Sequence, residues 1–319
     1  MNASYIGNKI KMCVVGGTGE WGKKVYNAAS LVNRYEVIGQ IDTSTTPSEK
    51  ESLLNAADLI YVATPYYAQK EYVEFILKNN KHGICESPFL PSIQDRYEIF
   101  NLINKKTYTK IFHINYPYFL DQDFAKIASK GIREKKKLKF IKLECCGNKF
   151  LDDLKEAKRM YISQALNLIC GICGFLNISK FEKFVVHDDY NGEVFAGDIN
   201  FLFSWKYSEV PELNISVKSN DHSEEETIVY DQYDQVLPLL LLMSDRINNE
   251  IPKALIGKPF PEALGSMQEI NSKMVLNTFL MECTAEYFTN KFLEYNGSEI
   301  EESDMTKLFF NGGFTPNNQ

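Results

Sequence analysis

Val14-Val15-Gly16-Gly17-Thr18-Gly19-Glu20-Trp21-Gly22 decides how the first part of the chain is read. Gly17, Gly19 and Gly22 spell G-x-G-x-x-G. The motif directly follows Met12 to Val15, an apolar run of strand character, and precedes Val25, Ala28, Ala29 and Val32, which recur at helical spacing. In a strand–turn–helix of this kind the first glycine permits a tight turn. The second lets main chain approach a pyrophosphate, and the third lets the helix pack closely on the strand. Backbone N–H groups and the positive end of the helix dipole then face the phosphates. Thr18, Glu20 and Trp21 fill the variable positions and join the three glycines as candidate cofactor-binding residues.

Val37 to Ile41 reads as the next strand, and Asp42 stands at its C-terminal end, twenty positions after Gly22. A carboxylate there can accept hydrogen bonds from both ribose hydroxyls of a dinucleotide. It would also repel a 2′-phosphate, and no Arg or Lys follows before Lys50, which favours NADH over NADPH on electrostatic grounds. Only sixteen residues, Thr43 to Asp58, separate Asp42 from the third strand, so a short wall over the adenine is expected.

Further out, Leu59 to Ala63, Gly83 to Cys85 and Ile111 to Ile114 are strand-like, with Glu71 to Leu77 and Arg96 to Ile103 helical between them. Strands separated by helices imply parallel βαβ units in an open twisted sheet. After about Phe119 the rhythm changes. Leu138 to Cys145 is strand-like and Tyr161 to Ile172 helical. Ile199, Phe201, Phe203, Trp205 and Tyr207 then alternate with Asn200, Leu202, Ser204 and Lys206, and Leu213, Ile215 and Val217 repeat the pattern. The expected fold is α/β: an N-terminal Rossmann parallel sheet over residues 1–119 and a C-terminal α/β domain with a mainly antiparallel open sheet over 120–319. Met267, Ile270, Met274, Met281, Ala285 and Phe288 predict a long core helix, and Asn311 to Gln319 a loose tail.

With 319 residues, 44% hydrophobic and 24% charged, the chain is long enough for two cored domains. A net charge of −7 gives no electrostatic basis for binding nucleic acid or an anionic membrane. The run Leu239 to Met243 is far too short to span a bilayer, and Met1 to Lys11 is polar, without a secretory pattern. Seven cysteines, an odd number, suggest reduced thiols and a cytoplasmic location. Cys170-Gly-Ile-Cys173 has the spacing of half a zinc site. Its neighbours in sequence, Cys145 and Cys146, are adjacent on a strand and point to opposite faces, so no metal is expected.

Two further stretches carry a family resemblance. Ala63-Thr64-Pro65-Tyr66-Tyr67-Ala68-Gln69 and Asn80-Lys81-His82-Gly83-Ile84-Cys85-Glu86-Ser87-Pro88-Phe89-Leu90 resemble the "TPNxxH" and "GKHVLCEKPL" segments of the Gfo/Idh/MocA oxidoreductases. The resemblance implies an NAD(P)-binding Rossmann domain, with Thr64, Pro65, Glu86 and Pro88 beside an NADH or NADPH cofactor. It also implies a small-molecule substrate and a second domain whose open sheet faces the nicotinamide and often builds a homodimer or homotetramer. In that family the Lys of E-K-P orients substrate and aids proton transfer; Ser87 takes its place here. A later family helix carries Asp and, four residues on, His; aligned with Met160 to Gly174, it has Met160 and Gln164 instead. None of Ser, Met or Gln titrates near neutral pH, and oxidation of a secondary alcohol needs a base, so the ordinary sugar-dehydrogenase mechanism is disfavoured.

One branch, the thiazolinyl imine reductases, also departs from E-K-P and carries V-N-x-x-Y after the fifth strand, its Tyr a proposed proton donor. Phe112-His113-Ile114-Asn115-Tyr116-Pro117-Tyr118 resembles that segment and puts Tyr118 on the donor, with Tyr116 able to exchange roles. An imine nitrogen is more basic than a ketone oxygen, so a Tyr hydroxyl of pKa ~10 suffices as acid. The resemblance therefore implies a reductase passing hydride to C=N in secondary metabolism, with Ser87 and Gln164 orienting the substrate. His113 reads either as a proton shuttle or as a structural histidine. Two alternatives stand beside this: a carbonyl or sugar dehydrogenase with relocated acid–base groups, and a non-catalytic dinucleotide-binding sensor or assembly protein.

Overall fold

A computed structural model of the chain describes residues 9–87, 89–90, 92–103, 107–115, 138–147, 169, 181–187, 191–207, 212–219, 226–230, 236–248 and 299–301. The chain divides into two compact units, Met1–Asp121 with Gln232–Leu280, and Gln122–Asp231 with Met281–Gln319.

The first unit begins β1 (Ile10–Val15), α1 (Glu20–Leu31), β2 (Tyr35–Ile41), α2 (Pro47–Ala56), β3 (Leu59–Val62). A single 3₁₀ turn, Tyr66–Ala68, leads to α3 (Lys70–Lys78), β4 (His82–Glu86), α4 (Ile93–Ile103) and β5 (Phe112–Asn115). The strands form one parallel sheet in the order β2-β1-β3-β4-β5. Met12 to Val15 and all four residues of β3 are buried, as strands covered on both faces require. The chain runs outward from β1 to β2 and then returns past β1 to β3. The order therefore reverses between β1 and β3, and their C-terminal ends flank the crevice where open α/β sheets bind ligands.

Helix α2 is an element the apolar pattern does not reveal, since it buries only Leu54. Its start is nevertheless written in the sequence. Thr46 caps it by accepting the Glu49 N–H at 3.4 Å, and Pro47 occupies the first turn, where its missing N–H costs nothing.

Helix α5 (Val236–Ile247) lies far beyond the expected boundary at residue 119, yet it belongs to the first unit. Val236, Leu239, Leu240 and Met243 join Ile10, Met12, Val14, Val25, Ala29, Leu59, Tyr61 and Ile84 in one core. Leu239, Leu240 and Met243 are fully buried, each contributing roughly 1.5–3 kcal/mol. Polar ties reinforce the seam. Tyr35 donates its hydroxyl to Leu240 O at 2.5 Å, and Arg34 reaches both Asp245 and Ser244 Oγ, the latter at 2.8 Å. Pro238 falls in the first turn of α5, among N–H groups with no intrahelical partner.

The second unit holds a seven-stranded sheet in the order β11-β10-β6-β9-β8-β7-β12. Its strands are β6 (Leu138–Gly147), β7 (Phe181–Val186), β8 (Asn191–Ala196), β9 (Ile199–Tyr207), β10 (Glu212–Ser219), β11 (Glu226–Tyr230) and β12 (Glu299–Glu301). Only β6 and β9 pair parallel; the other neighbours are antiparallel. Ile199, Phe201 and Phe203 are buried on one face, as their alternation predicts. Gly197, at φ 60°, opens the two-residue turn joining β8 to β9. The helix expected over 161–172 (apart from Ile169, which is helical), the Met-bearing stripe over 267–288, the tail from 311 and the Cys170/Cys173 pair lie outside the described residues. Among the described residues no helix is long and apolar enough to cross a membrane, and no group of three His, Cys, Asp or Glu could hold a metal ion.

Candidate functional site

The glycine turn connects β1 to α1 at the switch point. Its left-handed residue is Gly16, at φ 81°, one position before the first glycine of the motif. Gly16 donates to Ile41 O at 2.7 Å, and a Cβ there would lie 2.9 Å from Ala63 O. Gly17 answers a different need: a Cβ on it would come within 2.7 Å of Gln40 Cβ on β2. Gly22 does what the third glycine predicts, since its Cβ would strike Gly16 O at 2.1 Å. Gly19 is the exposed one, at φ −65°, where a Cβ would meet nothing nearer than Gly16 O at 3.3 Å. Gly19 is also the N-cap of α1 and offers no side chain, so the positive end of that helix lacks a side-chain cap. Thr18 and Glu20 flank it, both exposed.

Asp42 follows β2. Its Oδ1 accepts from Ser44 N at 2.7 Å, Ser44 Oγ at 2.6 Å and Thr45 Oγ1 at 3.4 Å. The Ser44 hydroxyl, followed by the Ser44 N–H, holds the carboxyl below the usual carboxylate range. Asp42 is thus an oriented anion directly after β2.

Across the crevice, the ends of β3, β4 and β5 converge on Glu86. Its Oε1 accepts from Trp21 Nε1 at 2.6 Å, from Asn115 Nδ2 at 2.9 Å and from the Tyr61 hydroxyl. Burial pushes the Glu86 carboxyl up, and the three donors pull against that shift. The sequence places Trp21 and Glu86 separately beside the cofactor; in the structure they bond to each other. Tyr61 and Asn115 were not anticipated. Tyr61 stands as the one polar-tipped residue in Leu59-Ile60-Tyr61-Val62, which is the signal that could have marked it.

Thr64 follows β3 and Pro65 is exposed just beyond it. Thr64 Oγ1 and Asn115 Oδ1 are buried with no hydrogen-bond partner among the described residues, an arrangement that suits an incoming polar ligand group. Ser87 comes directly after β4 and is half-buried. His113, on β5, has a buried Nδ1 with no hydrogen-bond partner among the described residues. Burial, with the Arg246 charge behind it, pushes His113 down to about 3. The ring is therefore neutral at physiological pH and poorly suited to shuttle protons. Pro88, Tyr116, Tyr118 and Gln164 lie outside the described residues.

A glycine turn at the switch point of a parallel sheet, an uncapped helix behind it and an oriented carboxylate on the neighbouring strand define a dinucleotide-binding α/β unit. Residues 10–116, about a third of the chain, match the model of the Gfo/Idh/MocA oxidoreductase family, NAD-binding Rossmann fold. No curated protein sequence matches the chain. Among solved structures it is similar to GenD2 from gentamicin A biosynthesis in complex with NAD, at 11% identity and TM-score 0.65 over 93% of this chain and 97% of that one. A putative NADPH-dependent oxidoreductase from Desulfitobacterium hafniense gives 13% identity and TM-score 0.64 over 94% and 99%. Scyllo-inositol dehydrogenase from Lactobacillus casei with bound NAD(H) and scyllo-inositol gives 11% and 0.63 over 93% and 100%. At such identities the likeness is one of fold.

Proposed function

We propose that the chain is an NAD(P)H-dependent oxidoreductase that reduces a C=N bond of a small molecule, with NADH preferred over NADPH. The observation that carries this reading is Ser87, directly after Glu86, where the resembling family has its lysine. The described edge of the sheet thus offers no cationic acid beside the nicotinamide position. Glu86 is committed to three donors, and the His113 ring is held neutral. A weakly acidic hydroxyl serves an imine nitrogen better than it serves a ketone oxygen.

The residues present suit the cofactor. The glycine turn and the first turn of α1 would hold the diphosphate, Asp42 the adenosine ribose, and Thr64, Glu86 and Ser87 the nicotinamide side. Bound there, the dihydronicotinamide supplies hydride. The chain's own part is to hold the acceptor carbon about 3–3.5 Å from the donor carbon, to orient it through Ser87 and Gln164, and to deliver a proton from the hydroxyl of Tyr118 or Tyr116. The proposed enzyme works in secondary metabolism, in the cytoplasm, as a homodimer or homotetramer. Its buried Cys13 is a free thiol, in keeping with a reducing compartment.

A second reading is favoured by the scyllo-inositol dehydrogenase likeness: alcohol oxidation with a base supplied from elsewhere in the chain. Turnover of a cyclic imine panel against a polyol and ketone panel separates the two. The proposal expects imine turnover that falls ~100-fold in Tyr118→Phe. Polyol oxidation without imine reduction would overturn it, and dinucleotide binding without any hydride transfer would point to a sensor.

A further inference from the structure

Gln69 closes the turn after β3 and is 1% exposed, yet it has no part in the chemistry above. Its Nε2 donates to Glu86 O at 2.9 Å and to Thr64 O at 3.3 Å, while its Oε1 accepts the Leu90 N–H at 2.9 Å. One buried amide therefore ties the end of β3, the end of β4 and the loop beyond β4. That loop needs tying. Leu90 is fully buried at φ 61°, a left-handed conformation that is sterically disfavoured for a residue with a Cβ. Such strain persists only where surroundings over-determine it. Arg96, 4% exposed, supplies the second hold: its Nε donates to Phe89 O at 2.6 Å and an Nη to Leu90 O at 2.9 Å.

We infer that Gln69 is a positioning residue that presets Glu86 and Leu90, and with Glu86 the adjoining Ser87, for the nicotinamide half of the dinucleotide. The inference rests on the cofactor reading proposed above. The adenosine diphosphate half is gripped by other groups, the glycine turn and Asp42, none of which Gln69 touches through these bonds. Removing the amide therefore weakens ligands that carry nicotinamide and spares ligands that lack it. A side chain that merely stabilised the domain would not separate the two.

The test is calorimetric titration of the full chain, as wild type, Gln69→Met and Gln69→Glu, with NADH and with ADP-ribose. Both variants should keep ADP-ribose affinity within about twofold and lose about tenfold in NADH affinity, the scale of one or two buried hydrogen bonds. Gln69→Glu keeps the acceptor for Leu90, and its loss should shrink on acidification as the protonated carboxyl regains a donor; it carries the test if Gln69→Met does not fold. Equal losses for the two ligands, or unchanged NADH affinity, would overturn the role of Gln69 and leave the cofactor site standing. Wild-type chain that binds neither ligand would remove both.

Discussion

Trp21 donates its indole N–H to the same Glu86 oxygen that receives the Tyr61 hydroxyl and the Asn115 amide. The first turn of α1 is thereby fastened to the ends of β3, β4 and β5, so the glycine turn and the far side of the crevice share one half-buried carboxyl group. A partly buried carboxyl group with several donors is tolerable; stripped of one it becomes costlier.

Trp21→Phe keeps the ring and removes that donor. The change should cost roughly 0.5–1.5 kcal/mol, the net worth of one hydrogen bond, and lower both the thermal midpoint and NADH affinity. Thermal melts alongside an NADH titration check it. An unchanged midpoint would mean the bond contributes nothing.

Gly19→Ala and Gly22→Ala should behave differently. At Gly22 the new methyl would overlap Gly16 O, main chain that cannot step aside, and the fold of the turn should fail. At Gly19 the nearest described neighbour of the new methyl is 3.3 Å away, so Gly19→Ala should fold with a midpoint near wild type. The methyl then stands where phosphate must approach, and dinucleotide affinity should fall by at least ~10-fold. Circular dichroism separates the first outcome from the second.

Asp42→Ala should weaken NADH more than NADPH and narrow or invert the preference between them, read from paired titrations. A loss equal for both would remove Asp42 from the ribose. Because Ser44 holds the carboxyl ionised, the preference should persist well below neutral pH.

His82 predicts an acid-sensitive first unit. Its Nδ1 accepts the Ile111 N–H at 3.2 Å, which requires a neutral ring, and burial pushes it from 6.5 down to about 4. The unfolded chain takes up this proton first. The stability His82 contributes is thus complete above pH 6.5 and is lost as pH falls towards 4. His82→Asn, which can still accept from Ile111, should flatten the fall of the thermal midpoint across that window. An unaltered slope would assign the acid sensitivity elsewhere.

Much of the first unit is legible in sequence because its signals are local: the glycine spacing, the apolar strands and Asp42 all act within about thirty residues. The same locality explains what stays hidden. The motif does not say which glycine of Gly16-Gly17 carries the positive φ; that depends on Ala63, just after β3, and on Gln40 of β2. Helix α2 escapes a periodicity reading because one buried leucine makes no stripe, although Thr46-Pro47-Ser48-Glu49 announces its start. Helix α5 returns to the first unit because its apolar face fills the space over α1 and β1, a contact spanning two hundred residues. Gln69 and Asn115 fall inside the resembling segments and Tyr61 is the one polar-tipped residue of its strand, but each acts through partners on other elements, so its neighbours in sequence do not disclose what it holds.

Fluorescence titration of the full-length chain with NADH and NADPH tests the central claim most directly. The account predicts saturable binding, tighter for NADH, accompanied by a change in Trp21 emission that disappears in Trp21→Phe. No saturable response to either nucleotide would contradict it.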